Sequence, residues 1–163
     1  MATKKIRVVF DCNIYLQAFI SFRSPAAACL GLARDCAVVS FISRQTLAEL
    51  KDVLQRPFVV RNLPHVTPAL IQAFLDDVSA SALLVRRIPA KFQFERDPKD
   101  TPYINLALAA EADYIVTRDK DLLDLMTGHN NECKEFRQRF RPLKIVGPVE
   151  FLHALLPTET QEM

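Results

Sequence analysis

The sequence predicts an α/β protein, a three-layer α/β/α sandwich in which helices cover both faces of a central, mainly parallel sheet. Short apolar runs typical of strands alternate along the chain with helical patterns, and the runs contain almost no polar residues. The connections between successive strands are too long for hairpins. Strands that are buried on both faces and joined by helical crossovers are typical of parallel sheets.

The predicted strands are short runs rich in β-branched and other apolar residues. They cover residues 6–10, 38–42, 83–87, 114–117 and 143–146. The third run ends in Arg86 and Arg87, which indicates an edge strand or the end of a strand.

The predicted helices alternate with these strands. They cover residues 26–34, 46–55, 68–78, 102–112, 121–126 and 148–156. Ser24, Thr67 and Thr101 each precede a proline, and this pair marks a helix start because proline is favoured at the first helical position. Pro57 is predicted to end the second helix.

Composition narrows the class of protein. Half of the 163 residues are hydrophobic and a quarter are charged, which excludes collagen-like, low-complexity and disordered chains. The 21 Lys and Arg nearly balance the 19 Asp and Glu, so the net charge neither demands nor excludes nucleic acid. We expect residues 1–156 to form one domain and residues 157–163 a loose tail.

Cysteine spacing and apolar run lengths exclude further classes. The 4 Cys show no C-x-x-C spacing, which favours free, buried thiols over a zinc site or disulfides. The 3 Gly form no phosphate-binding loop. The apolar run 6–10 is too short for a signal peptide, and no run approaches the ~20 residues of a membrane span. We therefore expect a cytoplasmic protein that does not associate with membranes.

The informative feature is the position of the acidic residues relative to the strands. Asp11 directly follows the first strand, and Asp119 and Asp121 closely follow the fourth. Ligands of open parallel sheets bind beyond the carboxyl ends of the strands, so these acids can meet in one crevice. Glu49 lies in the helix after the second strand. Asp100 precedes the helix that leads into the fourth strand, and its approach to the crevice depends on how that helix packs.

Carboxylates that crowd together must either be protonated or be neutralised by a cation. Their oxygens suit Mg²⁺ or Mn²⁺, and ions held in this way promote phosphodiester hydrolysis. Each acid also has a purely structural explanation. Asp11 can be a turn or cap residue, Glu49 can close a capping box with Thr46, and Asp100 can favour a helix dipole. Their joint placement favours a metal site.

Three runs of the sequence resemble the PIN-domain proteins, a family of metal-dependent nucleases. These runs are VVFDCN at 8–13, SRQTLAEL at 43–50 and RDPKDTPYINLALAAEADYIVTRDKDLL at 96–123. The third run closely resembles the toxin subgroup of bacterial PIN proteins, the VapC-like ribonucleases of type II toxin–antitoxin pairs. The resemblance extends from Val8 to about Leu156.

The resemblance implies a set of site residues. The family's catalytic and metal-binding acids match Asp11, Glu49, Asp100 and Asp119, a further acid of some members matches Asp121, and supporting polar residues match Asn13 and Thr117. Asp97 lies in the same loop as Asp100 and is the alternative ligand there. The position of Asp100 directly before the helix favours Asp100. The number of ions, one or two, is left open.

The implied activity is hydrolysis of single-stranded RNA by a metal-activated water. The resemblance also implies a toxin that is restrained by a small antitoxin and forms a homodimer. The three histidines, His65, His129 and His153, are scattered, which favours metal-dependent hydrolysis over a histidine-dependent ribonuclease and places each of them at the surface or a helix end.

Basic residues supply candidate substrate contacts. Arg118 and Lys120 flank Asp119, and Arg44 and Arg56 are further candidates for RNA or for an acidic antitoxin segment. The stretch 134–144 carries five basic residues and one acid. This stretch either holds phosphates and stacks bases on its two phenylalanines, or is a solvated helix with both phenylalanines on its buried side.

Two other functions compete with the nuclease. A phosphatase of the haloacid-dehalogenase type also has an Asp after its first strand, but it requires a second acid where this chain has Asn13. A PIN-like scaffold would bind RNA or a protein without cleaving it. Metal-dependent turnover distinguishes such a scaffold from a nuclease.

Overall fold

The computed structural model describes residues 4–156 and is built around a five-stranded sheet. The strands are β1 (Arg7–Phe10), β2 (Val39–Ile42), β3 (Ala82–Leu84), β4 (Tyr114–Val116) and β5 (Lys144–Val146). Their order across the sheet is β3-β2-β1-β4-β5, and all neighbouring pairs are parallel. The α/β class and the parallel sheet are therefore confirmed. The predicted tail, residues 157–163, lies outside the described residues.

The central strand β1 is buried on both faces. Val8, Val9 and Phe10 are at most 1 % exposed, and Val9 lies opposite Ile115 of β4. After β3 the chain returns past β1 to form β4, so the order of the strands reverses between β1 and β4. Such a reversal opens a crevice beyond the carboxyl ends of the two strands, where ligands of parallel sheets bind.

Helices flank the sheet, as the three-layer prediction requires. They are α1 (Cys12–Ile20), α2 (Pro25–Arg34), α3 (Arg44–Leu54), α4 (Pro57–Asn62), α5 (Pro68–Ala80), α6 (Thr101–Ala109), α7 (Lys120–Thr127), α8 (Asn131–Arg139) and α9 (Pro148–Leu155). Right-handed crossovers put the helices after β1 and β2 on one face and those after β3 and β4 on the other. Accordingly, α2 packs against α1 and α9, whereas α6 packs against β1 and β4 and α7 against β5.

The predicted helix starts at Ser24 and Thr67 are confirmed. Each side-chain oxygen accepts a hydrogen bond of 3.2 Å from the backbone N–H three residues later, and proline follows each cap. α6 begins at Thr101, directly after a 3₁₀ turn formed by Pro98–Asp100. Two acids therefore lie just before α6: Asp97 caps the turn, and Asp100 is its last residue.

Two helices, α1 and α4, have no counterpart in the sequence-based prediction, and α8 matches only one of the two interpretations of the stretch 134–144. Asp11 caps α1, because its side chain accepts a hydrogen bond of 2.6 Å from the Cys12 N–H. Pro57 does not simply end the preceding helix but occupies the first position of α4. Proline is compatible with the first turn of a helix as well as with the end of the preceding one, so this residue alone does not decide between them.

The start of α3 also differs from the prediction. Ser43 is its cap: the Thr46 N–H donates to Ser43 Oγ and the Ser43 N–H donates to Thr46 Oγ1, both at 3.0 Å. Thr46 is therefore the last residue of the capping box and not its first. Glu49 lies beyond this box, so the capping explanation of Glu49 is wrong.

β3 ends earlier than predicted, and the residues after it form a long connection. β3 lies at the sheet edge, as the arginines that follow it indicate. Residues 85–97, which we call the strap, run from β3 towards α6 without regular secondary structure. Asn105 of α6 holds the strap: its Oδ1 accepts from the Lys91 and Phe92 N–H groups at 3.0 Å, and its Nδ2 donates to the Phe92 carbonyl at 2.9 Å.

The strap packs against α8 through aromatic rings. The aromatic cluster consists of Phe92, Phe94, Phe136 and Phe140, and the ring of Phe92 lies 5.3 Å from that of Phe136 and 5.6 Å from that of Phe140. Phe136 is fully buried and Phe140 is partly buried. Of the two interpretations of the stretch 134–144, the helix with a buried side is confirmed for Phe136, and base stacking on that ring is wrong.

All four cysteines are free thiols. Cys12, Cys29 and Cys133 are buried as predicted, whereas Cys36 is exposed. Cys36 lies in the turn between α2 and β2, where its φ of 61° keeps it out of either element. Among residues 4–156, no helix has both the length and the apolar character needed to cross a bilayer.

Candidate metal centre

Asp11 stands at the carboxyl end of the central strand. Its backbone N–H donates to the Val116 carbonyl at 2.9 Å, which continues the pairing of β1 with β4. Its Oδ1 accepts from the Cys12 N–H at 2.6 Å, and its Oδ2 accepts from the Thr117 hydroxyl at 2.7 Å. The residue is only 4 % exposed. The sheet thus holds a buried carboxylate in the crevice between β1 and β4.

Asn13 and Thr117 connect the two loops that leave these strands. Thr117 Oγ1 donates to Asp11 and accepts from the Asp119 N–H at 2.9 Å. Asn13 Nδ2 lies 3.3 Å from Asp11 Oδ2, and Asn13 Oδ1 accepts from the Arg118 N–H at 3.1 Å. These bonds fix the loop after β4 against the start of α1, and with it the direction of both acids.

Three acids from separate parts of the chain converge in the crevice. Asp11, Asp100 and Asp119, which we call the acid group, each offer a carboxylate oxygen within 4.8 Å of the others. Asp119 reaches this position as the cap of α7, where it accepts from the Asp121 N–H at 2.9 Å. Asp100 reaches it because α6 packs against β1 and β4 with its first turn over the crevice.

Asp97 and Asp121 belong to a second group of acids. Together with Asp119 they also offer oxygens within 4.8 Å of one another, so Asp119 is common to both groups. Asp121 is in addition paired with Arg96, whose Nε lies 2.9 Å from its Oδ1. Of the two acids in the loop before α6, the structure therefore brings Asp100, and not Asp97, together with Asp11.

Glu49 flanks the acid group without joining it. Its Oε2 accepts a hydrogen bond of 2.9 Å from the Tyr103 hydroxyl, and the residue is half-buried on α3. Its negative charge contributes to raising the pKa of Asp11, which places it beside that carboxylate. Tyr103 itself is buried in the core and carries only its hydroxyl to this edge of the sheet.

Burial and mutual repulsion disfavour the charged forms of the carboxylates in the acid group. Burial raises the pKa of Asp11 to about 6, with smaller contributions from the charges of Glu49 and Asp119, although the bonds from Thr117 and Cys12 oppose the rise. The pKa of Asp100 also lies well above its usual range, because of burial, its hydrogen bond with the Asp119 side chain and the neighbouring negative charges. Such a site is stabilised either by protons or by a bound cation.

Sequence comparisons agree with this geometry. The sequence profile of the PIN domain matches residues 7–121, a range that contains every member of the acid group. This chain belongs to the PIN domain family. It is also 28 % identical over 150 residues to the uncharacterized protein MJ1680 of Methanocaldococcus jannaschii, an alignment that covers 91 % of this chain and 90 % of that protein. PIN domains are generally metal-dependent nucleases.

The residues of this PIN domain fit a divalent cation. Carboxylate oxygens are the hard ligands that Mg²⁺ and Mn²⁺ prefer. Asp100 Oδ2 is buried and has no hydrogen-bond partner within residues 4–156, so no donor of the described chain compensates for its desolvation. No salt bridge in the described part of the chain engages Asp11, Asp100 or Asp119. A bound cation would supply what these oxygens lack.

Other nucleophiles and bases are poorly placed in this PIN domain. Burial, followed by the charges of Glu49 and Asp11, raises the pKa of the Cys12 thiol to about 12, so the thiol stays protonated at neutral pH. The three histidines are all exposed, as predicted, and belong to neither group of acids. The chemistry available at this edge of the sheet is therefore that of the carboxylates and whatever they bind.

The basic residues predicted to contact substrate, Arg56 included, are all exposed but differ in position. Arg118 lies next to the acid group, and its guanidinium donates to Gln17 Oε1 of α1 at 2.7 Å. Lys120 is the first residue of α7 and directly follows Asp119. Arg44 instead lines a groove of about 330 Å³ between α3 and α5, which none of the predicted site acids lines.

Sequence reasoning did not single out three residues that contact or position this site, namely Tyr103, Arg96 and Asn105. Tyr103 lies on α6 one turn after Asp100, and helical spacing alone could have placed it near that acid. Arg96 and Asn105 act through contacts between segments that only the folded chain brings together. No local pattern distinguishes them from other polar residues.

Proposed function

We propose that this PIN protein is an endoribonuclease that hydrolyses phosphodiester bonds of single-stranded RNA with the help of Mg²⁺ or Mn²⁺. The observation that carries the proposal is the convergence of Asp11, Asp100 and Asp119 beyond the carboxyl ends of β1 and β4. When bound there, the ion lowers the pKa of a coordinated water and offsets negative charge on the phosphate.

The residues of the chain divide the remaining work. Asp11, Asp100 and Asp119 hold the ion. Glu49, held by the Tyr103 hydroxyl, orients the attacking water from the flank of the site or completes the ligand set. Asn13 and Thr117 fix the direction of the ligands through the hydrogen bonds they make between the two loops.

Exposed cations around the crevice are proposed to bind the RNA backbone. Arg118 and Lys120 lie on either side of Asp119, where they can contact phosphates next to the scissile bond. Arg44 is more distant, on the groove between α3 and α5, and suits a contact further along the strand. Asp121, which the resemblance matches to a further acid, pairs with Arg96.

The biological role is proposed from the resemblance to bacterial PIN toxins. On that basis the protein acts in the cytoplasm as the toxin of a toxin–antitoxin pair, forms a homodimer and is restrained by a small antitoxin. The run at 96–123 supports this role, because it carries the likeness to the toxin subgroup.

The test is cleavage of an end-labelled single-stranded RNA by the purified chain in the presence of Mn²⁺. We expect cleavage that EDTA abolishes. Asp11→Asn and Asp119→Asn should each lose more than the roughly 10–100-fold that removal of an outer-shell partner costs a metal site. Asp35→Asn, which changes an exposed acid between α2 and β2, is the matched control and should cleave normally.

The outcomes separate the nuclease from its alternatives. Cleavage that survives in both site variants would indicate a contaminating nuclease and contradict the proposal. Retention of RNA without cleavage would favour the non-catalytic scaffold. A parallel reaction with single-stranded DNA of the same sequence tests the preference for RNA, and equal rates would overturn that part of the proposal.

A further inference from the structure

Two groups of acids share one carboxylate at this edge of the sheet. The acid group combines Asp119 with two buried acids, whereas the second group combines it with Asp97 and Asp121, which are partly exposed. A centre with an ion in each group would use Asp119 as a ligand to both. What distinguishes the groups is the charge that lies next to each of them.

Arg96 contacts the second group and not the first. Its Nε lies 2.9 Å from Asp121 Oδ1, and its Nη2 lies 3.2 Å from Asp124 Oδ2, one turn further along α7. Within residues 4–156, no Lys, Arg or His forms a salt bridge with a member of the acid group. Among the described residues, the second group therefore forms an ion pair with a cation of the protein, and the acid group forms none.

The backbone on both sides of Arg96 is fixed. Phe94 is fully buried in the aromatic cluster, and its N–H donates to Thr101 Oγ1 at 3.0 Å. Asp97 Oδ1 accepts from the Lys99 N–H at 3.2 Å and so caps the 3₁₀ turn. The end of the strap thus holds the backbone of Arg96 in a place from which its guanidinium reaches α7. Because the backbone is already ordered, this ion pair costs only side-chain entropy.

We propose that Arg96 is a positioning residue that occupies the place of a second ion and restricts the centre to a single divalent cation held by Asp11, Asp100 and Asp119. The guanidinium already pairs with the Asp121 carboxylate, which an ion in the second group would need, and its positive charge repels a dication beside it. Asp121 is then a partner of Arg96 and not a metal ligand. This inference rests on the proposed function, because it presupposes that the acid group binds an ion.

The experiment counts Mn²⁺ ions per chain by calorimetric titration of the full-length protein, with electron paramagnetic resonance of free Mn²⁺ as a second readout. We expect one ion for the wild-type protein and two for Arg96→Gln. Arg96→Lys keeps the positive charge and should bind one. Arg34→Gln removes another exposed arginine that is paired with an aspartate, Asp77, and should also bind one.

A second variant tests the inference from the side of the acid. Asp121→Asn leaves the Arg96 guanidinium its contact with Asp124, so we expect one ion with the wild-type affinity. The double variant Arg96→Gln/Asp121→Asn should likewise bind one. If Arg96→Gln does not fold, which circular dichroism would show, the single variant Asp121→Asn still tests the inference.

Each contrary result identifies what has failed. Two ions in the wild-type protein, or one in a folded Arg96→Gln variant, would overturn the role of Arg96. Loss of the single ion in Asp121→Asn would show that Asp121 is a ligand and would overturn it as well. A wild-type protein that binds no Mn²⁺ would instead refute the proposed metal centre itself.

Discussion

The segment that joins β3 to α6 contributes to two neighbouring clusters with opposite physical character. Phe92 and Phe94 enter the aromatic cluster, where neutral rings pack against one another and are buried without any polar group left over. A few residues later Asp100 enters the acid group, where like charges lie close together and Asp100 Oδ2 has no hydrogen-bond partner among residues 4–156. The first cluster stabilises the fold by itself, whereas the second needs protons or a bound cation to offset its charge.

This difference predicts that substitutions in the two clusters change the free energy of unfolding in opposite directions. Removing a ring from the aromatic cluster leaves a cavity and costs stability. Removing a charge from the acid group relieves repulsion, so it should stabilise the metal-free protein while it abolishes the proposed activity. Natural active sites often show this opposition between stability and function.

The largest expected change in stability is that of Phe136→Ala. Phe136 is fully buried and contacts both Phe92 and Phe140, so truncation should lower the free energy of unfolding by about 3–5 kcal/mol. Urea unfolding measures this change. Phe22→Ala is the control, because Phe22 is 83 % exposed and its loss should be nearly neutral. A loss below about 1 kcal/mol in Phe136→Ala would show that the cluster packs loosely and would break the comparison.

The next largest effect is a dependence of stability on pH in the metal-free protein. The pKa of Asp11 is raised from an unfolded value near 3.8 to about 6, mainly by burial. Between about pH 4 and pH 6 the folded state therefore binds more protons than the unfolded state, and stability falls as the pH rises. The difference at Asp11 is on the order of 3 kcal/mol. The raised pKa of Asp100 extends the loss to higher pH.

Urea unfolding in EDTA at a series of pH values tests this dependence. Asp11→Asn should flatten the fall between about pH 4 and pH 6 and should be more stable than the wild type at neutral pH. Asp35→Asn should keep the wild-type slope. Addition of Mn²⁺ should restore stability at neutral pH in the wild type, because a ligand that binds only the folded state stabilises it. An unchanged slope in Asp11→Asn would mean that Asp11 is not the titrating group.

The same contrast explains which parts of the molecule could be predicted from the sequence. β1 and β4 are short apolar runs, and burial on both faces leaves their sequences little freedom, so their positions and the acids that follow them could be predicted. Local signals also located the helix starts at Ser24 and Thr67. They failed where one residue type serves two purposes, as Pro57 does at the start of α4.

Residue patterns alone predicted the membership of the acid group only in part, and the resemblance to PIN domains supplied Asp100. The positions of Asp11 and Asp119 follow from the strands that precede them. Asp100 joins them because α6 packs its first turn over the crevice, and this depends on tertiary contacts that no local pattern encodes. The position of Arg96 depends on the path of the strap, which forms no helix or strand that a sequence pattern could predict.

The smallest predicted effect is that of a substitution at Tyr103, which lies in the hydrophobic core and contacts Glu49 through its hydroxyl. Its ring is 1 % exposed in the core, while its hydroxyl donates to Glu49 beside the acid group. Tyr103→Phe keeps the ring, so the free energy of unfolding should change by no more than about 1 kcal/mol. Cleavage of RNA should fall by up to roughly 10-fold, because Glu49 loses the bond that holds it.

Tyr114→Phe is the matched control for this substitution. Tyr114 lies on β4 with its ring against Phe151, and the proposed site makes no use of its hydroxyl. Both variants should unfold at nearly the wild-type urea concentration, but only Tyr103→Phe should cleave more slowly. Equal rates for the two variants would show that Glu49 needs no fixed orientation, and Glu49 would then be a charge near the centre and not a working part of it.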